Sequence, residues 1–193
     1  MKIVKDKNIL QIPSEKFDCE SELDLIMETE KKLWTTLIEH ENGVGLAAPQ
    51  IGIHKRICVI CVKEQITLVN PKVIDTEVVI LYREGCLSFP GVTIQTKRYE
   101  SIIVDTDNLG RLYFTAEDNL LECVVVQHEI NHLDGKLMFD FEWKRDPIRG
   151  NKKYGRNEKI NIINPMTNAV IEQIKYKKAE NYFKTGWVIV ESN

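Results

Sequence analysis

The chain has 193 residues, of which 43% are hydrophobic and 28% are charged, and its formal net charge is −3. This composition indicates a soluble globular protein with one core, or one domain with a small appendage, and it excludes two large domains. The longest apolar runs are far too short to cross a bilayer, which excludes an integral membrane protein. Five cysteines are an odd, sparse set that favours reduced thiols over a secreted disulfide framework.

The first residues lack both the apolar core of a signal peptide and the Arg/Ser bias of a transit peptide, so we expect a cytosolic protein. The charge is unevenly distributed along the chain. Residues 144–193 hold eleven Lys/Arg and five Asp/Glu, a net charge of +6, which leaves −9 for residues 1–143. Such a basic segment is typical of a surface that meets a polyanion, and equally of a solvated, lysine-rich surface.

Residues 20–39 carry apolar side chains at three-four spacing, which predicts an amphipathic N-terminal helix capped by Asp18 or Ser21 and ended near Gly43. The Gly-rich segment 43–52 that follows cannot be a standard helix. The predicted apolar face of the helix consists of Leu23, Ile26, Met27, Leu33, Trp34, Leu37 and Ile38.

Short β-branched runs separated by turns predict strands over residues 56–62, 67–69, 73–82, 92–96, 101–105 and 112–115. The period then changes to that of a helix over residues 120–133, which stops at Asp134-Gly135. One face of this helix carries Leu121, Val124, Val125, His128 and His132. We therefore predict an α+β fold with antiparallel β-strands packed around this second helix.

After Trp143 a polar, basic stretch predicts a linker or surface loop, and we place a domain boundary between residues 145 and 146. The predicted organisation is a main domain over residues 1–145 and a small, basic, partly β C-terminal extension over residues 146–193. Within the extension, the sequence predicts a hairpin and one more strand, over residues 159–163, 170–174 and 187–190.

The predicted second helix contains the pattern HExxH. Its two histidines, His128 and His132, are four residues apart on a helix and face the same way, so both can bind one metal. Glu129 lies beside the first ligand, from where it can reach a metal-bound water. HExxH supplies two protein ligands, whereas a catalytic tetrahedral site needs a third. Cys86 is the best candidate, because glycines on both sides allow a close approach and a thiolate is a strong ligand for iron or zinc.

Two other patterns carry less chemistry. Cys58 and Cys61 form a CxxC, but residues three apart in a strand face opposite sides, so we interpret both as small buried hydrophobic residues. Segment 43–50, GVGLAAPQ, is typical of a tight loop that passes beside a site, and Gln50 offers it a neutral amide. Its GxG lacks the spacing of a nucleotide-binding loop.

The segments GVGLAAPQ, EGCLS and QHEINHLDG, in this order and at these separations, resemble the three signature motifs of peptide deformylases. The resemblance covers roughly residues 1–145. It implies a metal-dependent hydrolase that removes the formyl group from the formyl-methionine of nascent polypeptides and releases formate. It also implies one divalent metal, most often Fe(II), with Zn(II), Ni(II) or Co(II) as alternatives, held by Cys86, His128 and His132. A metal-bound water would attack the formyl carbon, with Glu129 as general base and then general acid.

The same resemblance implies roles for further residues. The side-chain amide of Gln50 and the backbone N–H of Leu87 would stabilise the oxyanion. Glu84 and Arg98 would form a structural ion pair that supports the Cys86 loop. The methionine side chain and the extended peptide backbone would be bound by Val44, Gly45, Gly85, Leu121, Val124 and Val125. Asn131, where many members of the family have Asp, departs from the pattern and points away from the ligand face.

Two other functional interpretations stay open at this point. In a zincin-type endopeptidase, HExxH would take its third ligand from downstream, with Glu142, Glu158 or Glu172 as candidates. In a non-catalytic, metal-stabilised interaction module, the basic C-terminal segment would be the functional part. For an enzyme acting on nascent chains, that segment is also a candidate for docking on the ribosome, with surface packing and solvated lysines as the alternative. Membranes and DNA are not expected partners.

Overall fold

The computed structural model describes residues 1–143, 154–165, 169–183 and 186–190. The chain divides into two compact units, Met1–Trp143 and Lys144–Asn193. The boundary predicted between residues 145 and 146 lies outside the described residues and stays a prediction. Within the described residues, no helix is long and apolar enough to cross a membrane.

The first unit contains three helices and two antiparallel sheets of three strands each, in the orders β1-β2-β3 and β4-β5-β6. Short 3-10 helices lie at Ala48–Ile51 and Met138–Phe141. The predicted α+β class with antiparallel sheets is therefore confirmed. The elements are α1 Lys7–Leu10, α2 Leu23–Ile38, β1 Gly45–Ala47, β2 Ile57–Cys61, β3 Gln65–Val69, β4 Lys72–Gly85, β5 Thr93–Thr106, β6 Gly110–Thr115 and α3 Ala116–Leu133.

Helix α3 packs against both sheets. Its residues Cys123, Val126 and Ile130 share one core cluster with Cys58 of β2 and Ile102 of β5. The backbone leaves helical geometry at Asn119, whose side-chain oxygen accepts a hydrogen bond from the N–H of Glu122 at 3.0 Å. Since this cap restarts the helix, its regular part begins at residue 120, as the sequence predicted.

Helix α2 differs from its prediction at both ends and in its apolar face. It ends at Ile38 with Glu39 at the C-cap, before the predicted end near Gly43. It begins at Leu23 with Glu22 at the N-cap, and Asp18 instead accepts hydrogen bonds from Ser21 and Glu20 in the preceding turn. The predicted apolar face is only half correct. Its buried or half-buried members, which pack on the first sheet, are Ile26, Leu33, Trp34 and Leu37, whereas Leu23, Met27 and Ile38 are exposed.

Two further predictions in the strand region are wrong. The strands predicted over residues 92–96 and 101–105 form one 14-residue strand, β5, because it pairs along its length with β4. Of the CxxC pair, Cys58 is buried as predicted, but Cys61 is exposed at the end of β2. Both faces of β2 are buried as far as Ile60, since Cys58 and Ile60 belong to one core cluster and Ile57 and Val59 to the other. Cys61 is exposed because it is the last residue of the strand.

The described part of the second unit contains a sheet with the order β8-β7-β9 and one helix. The elements are β7 Lys159–Ile163, β8 Val170–Lys175, α4 Tyr176–Phe183 and β9 Val188–Val190. Strands β7 and β8 are antiparallel, as the predicted hairpin requires, although residues 166–168 lie outside the described part. Helix α4 was not predicted. Ile160, Ile162 and Ala179 form the buried centre of this unit.

Candidate active site

The three predicted metal ligands come together at the end of β4 and on one face of α3. Cys86 directly follows Gly85, the last residue of β4, while His128 and His132 lie one helical turn apart. One ligand atom from each of the three residues lies within 4.8 Å of the others. The Cys86 Sγ and the His132 Nε2 are 3.3 Å apart. One thiolate and two imidazoles match the donor set of catalytic zinc and iron sites, which leave a position open for water.

A buried hydrogen-bond network holds His128 from behind. Its Nδ1 lies 3.2 Å from the Glu84 Oε2, which leaves Nε2 to face Cys86. Arg98 in turn donates to Glu84 at 2.5 and 3.1 Å and to the Asn131 side-chain oxygen at 2.5 Å. The predicted Glu84–Arg98 ion pair is thus present in the structure, and it continues to Asn131, which sequence analysis had set aside.

The protonation states of the two histidines differ. Burial favours neutral His128, but its hydrogen bonds to Cys86 and Glu84 outweigh burial and raise its pKa to about 10. Burial and the charge of His128 lower the pKa of His132 well below its usual value, which leaves it neutral. A metal binds neutral imidazole, so uptake of a metal at this site would release the proton of His128.

Glu129 is only 4% exposed, and among the described residues its Oε2 has no hydrogen-bond partner. Burial raises the pKa of this carboxyl to about 7, and the nearby charge of Glu84 adds to the shift. A carboxyl that titrates near neutral pH can both accept and donate a proton under working conditions, which suits a general acid/base.

Gln50 is held in the 3-10 helix that follows β1. Its side-chain oxygen accepts a hydrogen bond from the N–H of Ala47 at 2.8 Å, so its amide NH2 must face the site. That nitrogen lies 3.3 Å from the Ser88 hydroxyl and 3.5 Å from the Cys86 sulfur. Leu87, half-buried between Cys86 and Ser88, brings its backbone N–H to the same loop.

A cavity of about 550 Å³ opens above these groups. It lies between β1 and β4, which are edge strands of the two described sheets. Gly45 is required by the close packing here, since a Cβ on it would lie 2.7 Å from the Glu129 Oε1 and 2.7 Å from the Val125 Cγ1. All six predicted substrate-binding residues line the cavity: Val44, Gly45, Gly85, Leu121, Val124 and Val125.

The family model for polypeptide deformylase matches residues 1–146. The chain belongs to this family. The predicted family is therefore confirmed, and so is the predicted enzyme class, a hydrolase with peptide deformylase activity that acts in protein biosynthesis.

Individual deformylases also resemble the chain. The peptide deformylase of Endomicrobium trichonymphae is 43% identical over 144 residues, which cover 69% of this chain and 84% of that protein. A peptide deformylase from Synechococcus elongatus, solved with actinonin, has a TM-score of 0.65 at 31% identity and covers 75% of this chain and 79% of that chain. A class I type b peptide deformylase from Acinetobacter baumannii, solved with Met-Ala-Ser, has a TM-score of 0.64 at 26% identity, with 72% and 96% covered.

Membership of the deformylase family weakens the two competing interpretations. Within the described ranges, the cluster able to hold a metal contains Cys86 and both histidines, whereas Glu142, Glu158 and Glu172 are not part of it. A zincin would need one of those glutamates. Loss of catalytic groups would be expected of a non-catalytic module, yet Gln50 and Glu129 are both in the site.

Several side chains of the site were not predicted from the sequence. Ser88 and Asn131 contact predicted site residues, Gln50 and Arg98, through hydrogen bonds. Tyr82, Arg83 and Phe89 line the cavity. Positions 82 and 83 directly precede EGCLS, so their closeness to the motif was the only signal available in the sequence.

Proposed function

We propose that this deformylase removes the formyl group from N-terminal formyl-methionine on nascent polypeptides by adding water to the formyl amide, which yields formate and a free amine. The observation that carries the proposal is the convergence of Cys86, His128 and His132 beside the buried carboxyl of Glu129 at the inner end of a cavity.

Cys86, His128 and His132 would hold one divalent metal, which supplies a water activated at neutral pH and polarises the carbonyl. Fe(II) remains the proposed metal, with Zn(II), Ni(II) or Co(II) as alternatives. The buried Glu84 supports the choice of His128 as a ligand, because its hydrogen bond to Nδ1 fixes the ring orientation.

Glu129 would take a proton from the attacking water and deliver it to the departing amine. Its buried position and its pKa near 7 support both half-reactions at physiological pH. The Gln50 NH2 and the Leu87 N–H would donate to the oxyanion that develops on the formyl oxygen. Contacts of Gln50 with Ala47 and Ser88 support this, because they fix the amide before the substrate binds.

The apolar wall formed by Val44, Leu121, Val124 and Val125 would accept the methionine side chain. Gly45 on β1 and Gly85 on β4 lie on edge strands, where backbone groups remain available for an extended peptide. The Acinetobacter baumannii relative solved with Met-Ala-Ser supports peptide binding of this kind.

The test is release of formate from formyl-Met-Ala-Gln-amide by the purified protein, with acetyl-Met-Ala-Gln-amide and the internal peptide bonds as controls. We expect rapid release of formate and no cleavage of the acetyl peptide or of an internal bond. Cleavage inside the peptide would favour the zincin interpretation, and no reaction with metal bound would favour the non-catalytic module.

For the second unit we propose that it docks the enzyme on ribosomal RNA in the cytoplasm, where formylated chains emerge. Lys159 on β7 and Lys175 on β8 are direct cross-strand partners, an arrangement in which like charges destabilise a sheet. The Lys177 N–H donates to the Arg156 carbonyl at 3.2 Å, which brings two more cations to the same end of the unit. All four side chains are exposed, and in the described part of the unit none is paired with a carboxylate. Phosphate would relieve the repulsion.

Co-sedimentation with ribosomes at increasing salt tests this docking. Replacing both Lys159 and Lys175 by Gln should weaken binding and reduce the salt slope by about two, one for each lost phosphate contact. The matched control replaces two exposed lysines of the first unit, Lys5 and Lys31, by Gln. If the wild-type protein does not sediment with ribosomes at low salt, the lysines serve only solubility.

A further inference from the structure

Arg83 lies on β4 at the rim of the active-site cavity, and its side chain is exposed. The next residue, Glu84, is buried on the opposite face of the strand. Arg83 therefore shares the outer face of β4 with Gly85, and their cross-strand partners on β5 are Gln95 and Thr93. Because Gly85 and Thr93 also line the cavity, its mouth extends over this outer face beside Arg83.

The Arg83 guanidinium differs from the other arginines of the first unit. Arg56, Arg98 and Arg111 each form a salt bridge with a carboxylate, at 2.5 to 2.8 Å. The side chain of Arg83 has neither an ion pair nor a hydrogen bond within the residues that the structure describes. Five N–H donors thus face solvent at the cavity mouth of a unit whose net charge is −9.

Arg83 is also the one exposed charged side chain among the described residues that line the cavity. The charge of Glu84 is buried and compensated by Arg98. The other exposed or half-exposed polar groups of the rim, such as Asn42 and Thr93, are neutral. A ligand at the rim therefore meets a single, uncompensated positive charge.

The peptide that follows the formyl-methionine would reach this charge. If the formyl carbon binds near Cys86 and the methionine side chain against Val124, the next residues would lie beside Gly85, which lines the cavity at the free edge of β4. An extended chain paired along such an edge directs alternate side chains to the face on which Arg83 lies.

We propose that Arg83 determines substrate preference and favours nascent chains with an acidic side chain at one of the two positions after the formyl-methionine. The inference rests on the proposed deformylase function and names its preferred substrates. A guanidinium can donate two parallel hydrogen bonds to a carboxylate. Because Arg83 is exposed, the preference is modest, about two- to fivefold in kcat/KM. It decreases as salt screens the charges.

The experiment compares kcat/KM for formate release from formyl-Met-Xaa-Ala-amide and formyl-Met-Ala-Xaa-amide, where Xaa is Glu, Gln or Lys. The C-terminal amide removes the terminal carboxylate, so the Xaa side chain carries the only variable charge. At low salt the kcat/KM of the wild-type protein should be highest for Glu, lower for Gln and lowest for Lys at one of the two varied positions. The preference should disappear in Arg83→Gln and reverse in Arg83→Glu.

Lys97→Gln is the matched control, since this exposed lysine lies on the same outer face, opposite Leu81, but does not line the cavity. It should keep the wild-type order of peptides. Equal kcat/KM for Glu, Gln and Lys peptides, or a Glu preference that survives in Arg83→Gln, would overturn the inference while the deformylase function stands. If no formyl peptide releases formate, the proposed function fails and the inference fails with it.

Discussion

The back wall of the cavity and its rim hold their polar groups in different ways. Behind the site, hydrogen bonds of 2.5 to 3.3 Å join Glu84, Arg98, Asn131 and His128, and Glu84, Arg98 and His128 are at most 8% exposed. At the rim, Arg83 is exposed and unpaired in the described part of the chain. A buried network is costly to break and fixes geometry, whereas an exposed charge adjusts the choice among substrates. Substitutions in the two regions should therefore differ in the size and kind of their effects.

The largest effect is expected when a proposed ligand is changed. Cys86→Ser replaces a thiolate by a harder and weaker donor, so metal affinity should fall by more than the roughly 10- to 100-fold typical of supporting residues, and formate release should fall with it. Elemental analysis after dialysis measures the metal. The control is Cys61→Ser, at an exposed thiol at the end of β2. Unchanged metal content in Cys86→Ser would show that Cys86 is not a ligand, as the zincin interpretation requires.

Gly45→Ala tests how tightly the inner cavity is packed. The new Cβ would lie 2.7 Å from the Glu129 Oε1, so the carboxyl must move, and a displacement of this kind can lower kcat/KM about 100-fold. Steady-state kinetics on a formyl peptide provide the measurement. Gly155→Ala serves as control, because its nearest neighbour would be 3.9 Å away. Equal kinetics of Gly45→Ala and wild type would mean that the inner wall adapts more easily than its contacts indicate.

The burial of Glu129 should destabilise the metal-free protein at neutral and higher pH. Its pKa is raised from 4.5 to about 7, so the folded state binds the proton more tightly than the unfolded state. The contribution of this carboxyl to the free energy of unfolding is fully present below pH 4.5. It is lost as the pH rises through 7, and the loss is roughly 3 kcal/mol at most. Glu129→Gln should remove this loss.

Urea unfolding of chelator-treated protein at pH 5 and pH 8 measures the effect. Glu129→Gln should be more stable than wild type at pH 8, and the difference should become small at pH 5. An exposed carboxyl, Glu41, replaced by Gln is the control and should change neither value. A difference of equal size at both pH values would contradict the raised pKa.

Glu84→Gln tests whether the buried network of Glu84, Arg98 and Asn131 supports metal binding by His128. The amide weakens the hydrogen bond to His128 and leaves Arg98 buried without a counter-charge, so we expect about a tenfold loss of metal affinity. Competition with a chelator measures this loss, and Glu77→Gln, on the exposed part of the same strand, is the control. If both variants bind metal equally well, the network behind His128 does not support the site.

The parts of the fold that sequence predicted best depend on short-range periodicity. The 3.6-residue period located the regular part of α3, and the same helix geometry predicted that His128 and His132 face the same way. This period does not predict which apolar side chains of a helix are buried by the rest of the fold. Leu23 and Met27 share the spacing of Ile26 and Leu33, yet only the latter two meet the first sheet. Helix α4 was not predicted because, among its described side chains, only that of Ala179 is fully buried, so it carries no broad apolar face.

In the candidate site, too, the residues that were predicted depend on local sequence and those that were not predicted depend on the folded chain. The motifs named Cys86 and Glu129 because ligand chemistry and helix spacing are local properties of the sequence. Ser88, Asn131 and Arg83 could not be found, since their importance depends on partners, or on an absence of partners, that only the folded chain determines. A polar residue next to a motif has the same appearance in sequence whether it supports the site, lines its rim or faces solvent.

Metal content and formate release, measured on the same preparation of Glu129→Gln, decide whether Glu129 transfers the proton. The amide retains the shape of the side chain but cannot transfer a proton. We predict that the variant keeps one metal per chain and loses about 10²- to 10⁴-fold in kcat on formyl-Met-Ala-Gln-amide. Full metal content together with near wild-type formate release would contradict the assignment of Glu129 as the general acid/base.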